Sequence, residues 1–182
     1  MVPQVYQFKI SLTGIQPLIW RRFRVHNDVT FRQLHNIVQI VMGWENYHLY
    51  QFFLGSYQFT ESLMARGDKP ATHRLDEFLQ REGTVLGYQY DFGDNWQHEI
   101  VLEKILAYTR KSCPVCTHGR RACPPEDCGG VWGYMDLVKA MKSRRGYRYR
   151  EFKEWLGGYF KADEFDIHAI NEQLDDTEMW RN

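Results

Sequence analysis

Hydrophobic and polar residues alternate along the start of the chain with the two-residue period of a β-strand. The first strand carries this pattern at Tyr6, Phe8, Ile10 and Leu12. A Thr-Gly turn follows, and residues 18–25 form the returning strand of a hairpin. Alternation is found again in residues 86–92 and 96–102, on either side of a Gly-Asp-Asn turn. The pattern predicts two antiparallel hairpins, each with one buried face.

An amphipathic helix is predicted between these hairpins. Apolar residues recur at three- and four-residue spacing from Phe31 to Met42, which places them on one helical face. Thr30, followed three residues later by Gln33, is a capping-box pattern. Gly43 is typical of the left-handed residue that ends a helix. The helix is therefore expected to begin after residue 30 and to end before residue 43.

The order of elements predicts an α+β fold. Aromatic, β-prone segments at 48–54 and 57–60 follow the helix and precede the second hairpin. Because the strands do not alternate regularly with helices, the sheet is expected to be mainly antiparallel. We predict a curled sheet with a helix across it, a β-grasp-like ββα-ββ core over residues 1–106. A cysteine loop and helices over residues 107–182 complete a single domain.

Composition excludes several classes of protein. The chain has 182 residues, of which 43% are hydrophobic and 25% charged, as in ordinary globular proteins. It contains no run of about eighteen apolar residues that would span a membrane. The amino terminus lacks a charged segment followed by an apolar one, so no secretion signal is predicted and we expect a cytoplasmic protein.

A formal net charge of zero conceals a segregation of charge along the chain. Residues 104–153 contain 12 basic and 4 acidic side chains, whereas residues 154–182 contain 2 basic and 8 acidic ones. Arginines bind phosphates and tyrosines stack on bases, so one basic segment is a candidate nucleic-acid contact. The alternative is a solvated loop between helices that the acidic tail neutralises. The residues of this segment are Arg144, Arg145, Tyr147, Arg148 and Arg150.

All four cysteines lie within sixteen residues, as a Cys-x-x-Cys pair at Cys113 and Cys116 and a wider pair at Cys123 and Cys128. Four thiolates can hold one tetrahedral Zn²⁺, and His118 could replace one of them. Such a closed site would be structural, because no coordination position stays open for chemistry. Free thiols, a redox pair and disulfides are the alternatives to zinc.

A second candidate site combines carboxylates with a histidine. A metal-dependent hydrolase would use Asp91, Asp94, His98 and Glu126 around one cleft, with Asp127 beside them. The alternatives are structural. Asp94 belongs to a residue type that favours turns. His98 occupies the same alternating strand positions as Trp96 and Ile100, so its side chain is expected to face the core. The enzyme hypothesis requires several of these groups to converge on one pocket.

Five short motifs follow one another along the chain. They are residues 19–22 (Ile-Trp-Arg-Arg), Leu34-His35 with Gly43-Trp44, residues 48–50 (His-Leu-Tyr), residues 90–96, and residues 122–130 with Gly133-Tyr134. In this order they resemble the plasmid ORF-three-like family, named after an open reading frame of a root-inducing plasmid. The family's Phe-Asp-Pro motif is changed in residues 160–166, although Phe165 and Asp166 are kept.

This resemblance bears on the fold more than on the function. Members of the family occur near mobile elements, and no established activity or catalytic residue comes with it. Some members carry a resolvase label, but the arrangement of a serine recombinase is not found near the amino terminus. We therefore expect a binding or adaptor module whose partner is nucleic acid or another protein, with structural zinc as its candidate cofactor. The alternative is the metal-dependent hydrolase, and no motif specifies an oligomeric state.

Overall fold

Eight strands form one sheet in the computed structural model, which describes residues 2–61, 68–108, 113–176 and 178–181. The strands are β1 (Gln4–Leu12), β2 (Trp20–His26), β3 (Tyr50–Leu54), β4 (Tyr57–Thr60), β5 (Asp68–Pro70), β6 (Val85–Tyr90), β7 (Trp96–Ala107) and β8 (Val115–Arg120). Their order in the sheet is β5-β4-β3-β6-β7-β1-β2-β8. Neighbouring strands are antiparallel except β4 and β5. The predicted α+β fold with a mainly antiparallel sheet is confirmed.

Five helices are described, and the first follows its predicted capping signals closely. They are α1 (Phe31–Met42), α2 (Gly130–Ser143), α3 (Tyr147–Trp155), α4 (Ile167–Asp175) and α5 (Glu178–Arg181), with a 3-10 turn at Leu75–Glu77. At the start of α1, the Thr30 hydroxyl accepts from the Gln33 amide at 3.1 Å, and the Gln33 side chain accepts from the Thr30 amide at 3.0 Å. Gly43 ends the helix with φ +85°. None of the helices in the described ranges has both the length and the apolar character needed to cross a membrane.

The buried face of the sheet follows the alternation in the sequence. In the β6–β7 hairpin, Tyr90 pairs with Trp96 and Tyr88 pairs with His98. Tyr90 and Trp96 are both fully buried, as predicted. Large aromatic side chains at paired positions contribute most of the apolar area that such a sheet buries. This hairpin therefore forms the centre of the core.

Helix α1 lies across this face of the sheet. Near its start, the Phe31 ring stacks on Phe59 of β4 with ring centroids 3.8 Å apart. Near its end, the Val41 carbonyl accepts a hydrogen bond of 2.7 Å from Nε of Arg21 on β2. Because β4 and β2 are separated by four other strands in the sheet, the helix spans most of its width.

The cysteine segment contains a strand that the sequence analysis treated as loop. β8 pairs with β2, and residues 109–112 just before it lie outside the described residues. Asn171 of α4 covers its free edge: the side-chain oxygen accepts from the Cys116 amide at 2.8 Å, and the side-chain nitrogen donates to the Cys116 carbonyl at 3.0 Å. β8 was missed because it lacks alternating large apolar residues, and it forms because β2 offers an unpaired edge.

Candidate functional site

Three segments that are distant in sequence meet beyond the end of β6. His48 precedes β3, Asp91 directly follows β6, and Asp127 lies in the loop before α2. One ligand atom from each lies within 4.8 Å of the others, and the part of the chain that the structure describes contains no other such grouping of three or more His, Cys, Asp or Glu residues. We call these three residues the His48 cluster.

Three carboxylates lie within 4 Å of Nε2 of His48. The distances from Nε2 are 3.2 Å to Asp127 Oδ1, 3.7 Å to Asp91 Oδ2 and 3.9 Å to Glu126 Oε2. The Asp91 and Glu126 side chains are 8% and 13% exposed, whereas that of Asp127 is 67% exposed. The cluster is therefore enclosed on the side of Asp91 and Glu126 and open to solvent at Asp127.

Glu126 is held by one carboxylate oxygen only. Its Oε1 accepts hydrogen bonds from the Tyr90 hydroxyl at 2.9 Å and from the Glu45 amide at 3.0 Å. Its Oε2 is buried and accepts no hydrogen bond from any described residue. Burial and the Glu126 carboxylate raise the pKa of Tyr90, so the phenol stays protonated as a donor. Oε2 is thus directed toward His48 without a partner of its own.

The two carboxylate oxygens of Asp91 likewise make different contacts. Its backbone has φ +54°, a left-handed conformation that aspartate tolerates better than most residues. Its amide donates to the Leu49 carbonyl at 3.0 Å, and its Oδ1 accepts from the Gly93 amide at 2.9 Å. The other oxygen, Oδ2, is the one that faces His48. The turn after β6 therefore fixes Oδ1 and leaves Oδ2 facing His48.

A buried aromatic scaffold ties these segments together. Trp44, the residue after the Gly43 cap, donates from Nε1 to the Pro124 carbonyl at 2.9 Å. Its ring stacks on Tyr90 with centroids 4.9 Å apart. The Tyr90 hydroxyl in turn accepts from the Tyr47 amide at 3.1 Å. The end of α1, the end of β6 and the Pro124 loop are therefore held in one arrangement.

A cavity of about 590 Å³ lies beside the cluster and shares His48 with it. On its far side, Arg32 Nε donates to Glu61 at 2.8 Å, and the Tyr50 hydroxyl donates to the same carboxylate at 2.5 Å. His35 also lines the cavity, and its burial lowers its pKa to about 4, so this imidazole is neutral at pH 7. The cavity has the size of a small-ligand site.

The structure brings together three of the five predicted acidic-site residues, Asp91, Glu126 and Asp127, and leaves two outside. Asp94 Oδ2 accepts from the Gly129 amide at 3.1 Å and so supports the start of α2. His98 lies in the core beneath Trp44, and burial lowers its pKa to about 3. The proposed quartet of Asp91, Asp94, His98 and Glu126 is therefore not one cluster.

His48 takes the place that the sequence analysis gave to His98. His98 has the parity of Trp96 and Ile100 on β7, which directs its side chain into the core. The sequence signal for His48 was its place in the His-Leu-Tyr motif. Nothing local in that motif shows that it faces residues 91 and 126–127.

No three of the four cysteine thiols, all of which the structure describes, lie within 4.8 Å of one another. Cys116 Sγ is 3.7 Å from the carbonyls of Arg22 and His118, and Cys123 Sγ is 3.6 Å from Met42 Sδ. Cys128 lies at the start of α2 near Asp94, and Cys113 is partly exposed. Burial raises the pKa of Cys116 and Cys123 to about 11 and that of Cys128 to about 12.

A zinc ion bound by these thiols would have to displace their protons. The four-thiolate geometry expected from the spacing is not formed within the described residues, which include all four cysteines. Zinc binding by the cysteines stays a prediction.

The basic segment lies at the α2–α3 junction and within α3. Arg148 is engaged there: its Nε is 2.9 Å from Asp136 and its Nη1 is 2.6 Å from Glu151. Those partners lie on α2 and α3, so for this residue the acidic tail is not the neutralising group. The other four residues of the segment are exposed to solvent: Arg144, Arg145, Tyr147 and Arg150. A nucleic-acid contact through this segment stays a prediction.

Fold and site together define an α+β protein with a polar cluster at the turn of its central β6–β7 hairpin. The plasmid pRiA4b ORF-3-like protein family matches residues 4–169, and the chain belongs to this family. It is 32% identical over 181 residues to the uncharacterised protein y4hQ of Sinorhizobium fredii, covering 97% of this chain and 93% of that relative.

A solved structure shares the architecture. The crystal structure of the protein of unknown function MM3350 from Methanosarcina mazei Go1 is similar with a TM-score of 0.85 and 36% sequence identity. The similarity covers 93% of this chain and 97% of that one. Neither relative's name states an activity, so a function has to be argued from the site.

Proposed function

We propose that the protein binds a divalent cation at the His48 cluster and works as a cation-dependent binding module. The observation that carries this proposal is a pair of buried atoms, His48 Nε2 and Glu126 Oε2, that have no hydrogen-bond partner among the described residues. Leaving buried polar atoms unpaired costs about 1–3 kcal/mol each. A cation between the imidazole and the carboxylates would compensate that cost.

The distances in the cluster suit an ion. Ligands about 2.1 Å from a tetrahedral ion lie roughly 3.4 Å from one another. Asp127 Oδ1 and Asp91 Oδ2 lie 3.2 and 3.7 Å from His48 Nε2, on either side of that value. One imidazole with several carboxylates favours Zn²⁺ or Mn²⁺ over Ca²⁺, which prefers an all-oxygen shell.

Calorimetric titration of the full chain with Mn²⁺, Zn²⁺, Mg²⁺ and Ca²⁺, each alone, tests the proposal. His48→Ala and Asp91→Asn should each weaken Mn²⁺ or Zn²⁺ binding at least tenfold. Asparagine tolerates the left-handed backbone of Asp91, so that variant removes charge and keeps the turn. Asp94→Asn is the matched control, because it changes a carboxylate of the same turn outside the cluster. Equal affinity in the wild type and both cluster variants would contradict the proposal.

Binding of Co²⁺ separates this site from a cysteine site. Thiolate ligands give cobalt a charge-transfer absorption that imidazole and carboxylate ligands do not give. Co²⁺ bound at the His48 cluster should lack that absorption and should be lost in His48→Ala. A thiolate band that disappears when Cys123 and Cys128 are changed to Ser would instead support the structural zinc site predicted from the cysteine spacing.

A metal-dependent hydrolase is the second candidate. The observation that favours it is the open side of the cluster at Asp127 beside a cavity that can admit a substrate. A bound cation would lower the pKa of a water molecule there. Mn²⁺-dependent hydrolysis of p-nitrophenyl phosphate or p-nitrophenyl acetate, abolished by Asp91→Asn and kept by Asp94→Asn, would support it. Cation binding without turnover of either compound would favour the binding module.

A further inference from the structure

A basic cavity lies between the end of α2, α3 and residues 159–164, and none of its lining residues belongs to the His48 cluster. Its volume is about 610 Å³, within the range of small-ligand sites. Four cations and two carboxylates line it: Lys142, Arg144, Lys153, Lys161, Asp163 and Glu164. We call it the basic cavity.

Its two carboxylates are already neutralised. Asp163 forms an ion pair with Arg121, and Glu164 forms one with Lys161. Lys142, Arg144 and Lys153 make no ion pair with any residue that the structure describes. Three cations that face one cavity without a free carboxylate create a positive potential, and such a cavity attracts anions.

Aromatic rings lie beneath two of these cations. The Arg144 guanidinium lies 5.1 Å from the centre of the Tyr159 ring, and the Lys153 ammonium lies 6.0 Å from that of Tyr149. Tyr159 is 41% exposed, so part of this residue is accessible to a ligand. Tyrosine rings stack on nucleic-acid bases, and neighbouring cations bind the phosphates.

We propose that the basic cavity binds a nucleoside phosphate, with the phosphate on Lys142, Arg144 and Lys153 and the base against Tyr159. The same unit occurs in a free nucleotide and in single-stranded nucleic acid. The volume suits one such unit at a time. The basic cavity and the His48 cluster use different residues, so an experiment can refute one proposal without refuting the other.

Two probes distinguish the sources of this unit. AMP is titrated calorimetrically, and a fluorescein-labelled oligo(dT) is followed by fluorescence anisotropy, both with the full chain at low salt. The triple variant Lys142→Gln, Arg144→Gln and Lys153→Gln should weaken binding at least tenfold. Arg148→Gln is the matched control and should change the affinity less than twofold, because this arginine is paired with Asp136 and Glu151 and does not line the cavity.

The ring requirement is tested by Tyr159→Leu and Tyr159→Phe. Leucine should weaken binding several-fold, whereas phenylalanine should preserve it, because stacking needs the ring and not the hydroxyl. Strand binding that falls with salt at a log–log slope of about −0.7 per phosphate would assign the site to single strands. AMP binding as tight as that of the oligonucleotide would assign it to free nucleotides.

Three results would overturn the proposal. The first is no binding of either probe at low salt. The second is equal loss of binding in the triple variant and in Arg148→Gln, which would indicate unspecific charge attraction. The third is a combined result: inorganic phosphate displaces the labelled oligonucleotide as well as AMP does, and Tyr159→Leu has no effect on binding. The cavity would then bind phosphate without recognising the nucleoside.

Discussion

The His48 cluster and the basic cavity differ in how they are built. The cluster collects short side chains from three distant segments and holds them by buried aromatic contacts of Trp44 and Tyr90. The basic cavity uses long, exposed side chains from helices that are neighbours in sequence. The geometry of the cluster is therefore tied to the core, whereas that of the cavity depends on local helix packing.

This difference determines what each site costs to occupy. Hydrogen bonds orient the Asp91 and Glu126 carboxylates before a ligand arrives, so these two groups lose little conformational entropy on binding. Each lysine or arginine of the cavity loses up to about 2 kcal/mol of side-chain entropy when it is fixed. Changes in the scaffold should therefore affect folding and the cluster together, while changes at the cavity should affect binding alone.

The largest expected effect is at the centre of the scaffold. Trp96→Ala should lower the free energy of unfolding by about 3–5 kcal/mol, because it removes a fully buried indole from the core. Urea denaturation followed by far-UV circular dichroism measures it. Trp132→Ala is the matched control, since Trp132 of α2 is 82% exposed and its loss should change stability little. Similar losses in both variants would contradict the expectation that stability depends on the buried core of the sheet more than on the exposed face of α2.

Acid should destabilise the scaffold through its buried histidines. Burial lowers the pKa of His35 to about 4, below its ordinary value of about 6.5, so the unfolded chain binds more protons between these values. Stability is therefore full above pH 6.5 and falls as the pH decreases toward 4, by about 3 kcal/mol for this residue. Burial lowers the pKa of His98 further, to about 3, and extends the loss to lower pH.

Urea midpoints measured between pH 7.5 and 4 test this dependence. His98→Gln should reduce the loss of stability on acidification, whatever its effect at pH 7.5. An unchanged pH dependence in His98→Gln would show that this imidazole does not titrate with unfolding.

Local patterns predicted most of the fold. The alternation of Tyr88 and Tyr90 with polar residues determined which face of β6 is buried, and Thr30 with Gly43 marked both ends of α1. These signals work because a strand or helix buries its apolar residues with a fixed period. β8 could not be predicted this way, because it is stabilised by pairing with β2 and by Asn171 rather than by its own apolar residues.

The candidate site could be predicted only in part. Asp91, Glu126 and Asp127 were candidates because acidic residues in turns are candidate ligands, and the structure brings them together. The sequence favoured His98 as their histidine, whereas the structure places His48 beside them, since local sequence does not show which imidazole a distant turn will face. The antiparallel register of β3 on β6 decides this: Tyr50 pairs with Tyr90, so Leu49 lies opposite Asp91, and His48 is the next residue beyond that pair.

A smaller effect is expected where the scaffold meets the cluster. Tyr90→Phe removes the hydroxyl that donates to Glu126 and accepts from the Tyr47 amide. Stability should fall by about 1 kcal/mol, the usual net value of a lost hydrogen bond, and Mn²⁺ affinity should fall with it. Unfolding and calorimetric titration of the same sample measure both. Tyr47→Phe changes an exposed phenol and should alter neither the stability nor the Mn²⁺ affinity. Loss of stability without loss of affinity in Tyr90→Phe would show that the cluster does not depend on the aromatic scaffold.

The smallest effect is expected at the surface beside the basic cavity. Arg148 pairs with Asp136 and Glu151, and its guanidinium lies 4.5 Å from the centre of the Phe152 ring. Exposed ion pairs contribute little to stability, since water and salt screen them and ordering the side chains offsets the attraction. Arg148→Met, which keeps the aliphatic contact with the ring, should leave the urea midpoint unchanged at both low and high salt. A clear decrease that high salt abolishes would show that the surface pairs hold α3 against α2. The cavity would then be coupled to folding as closely as the cluster is.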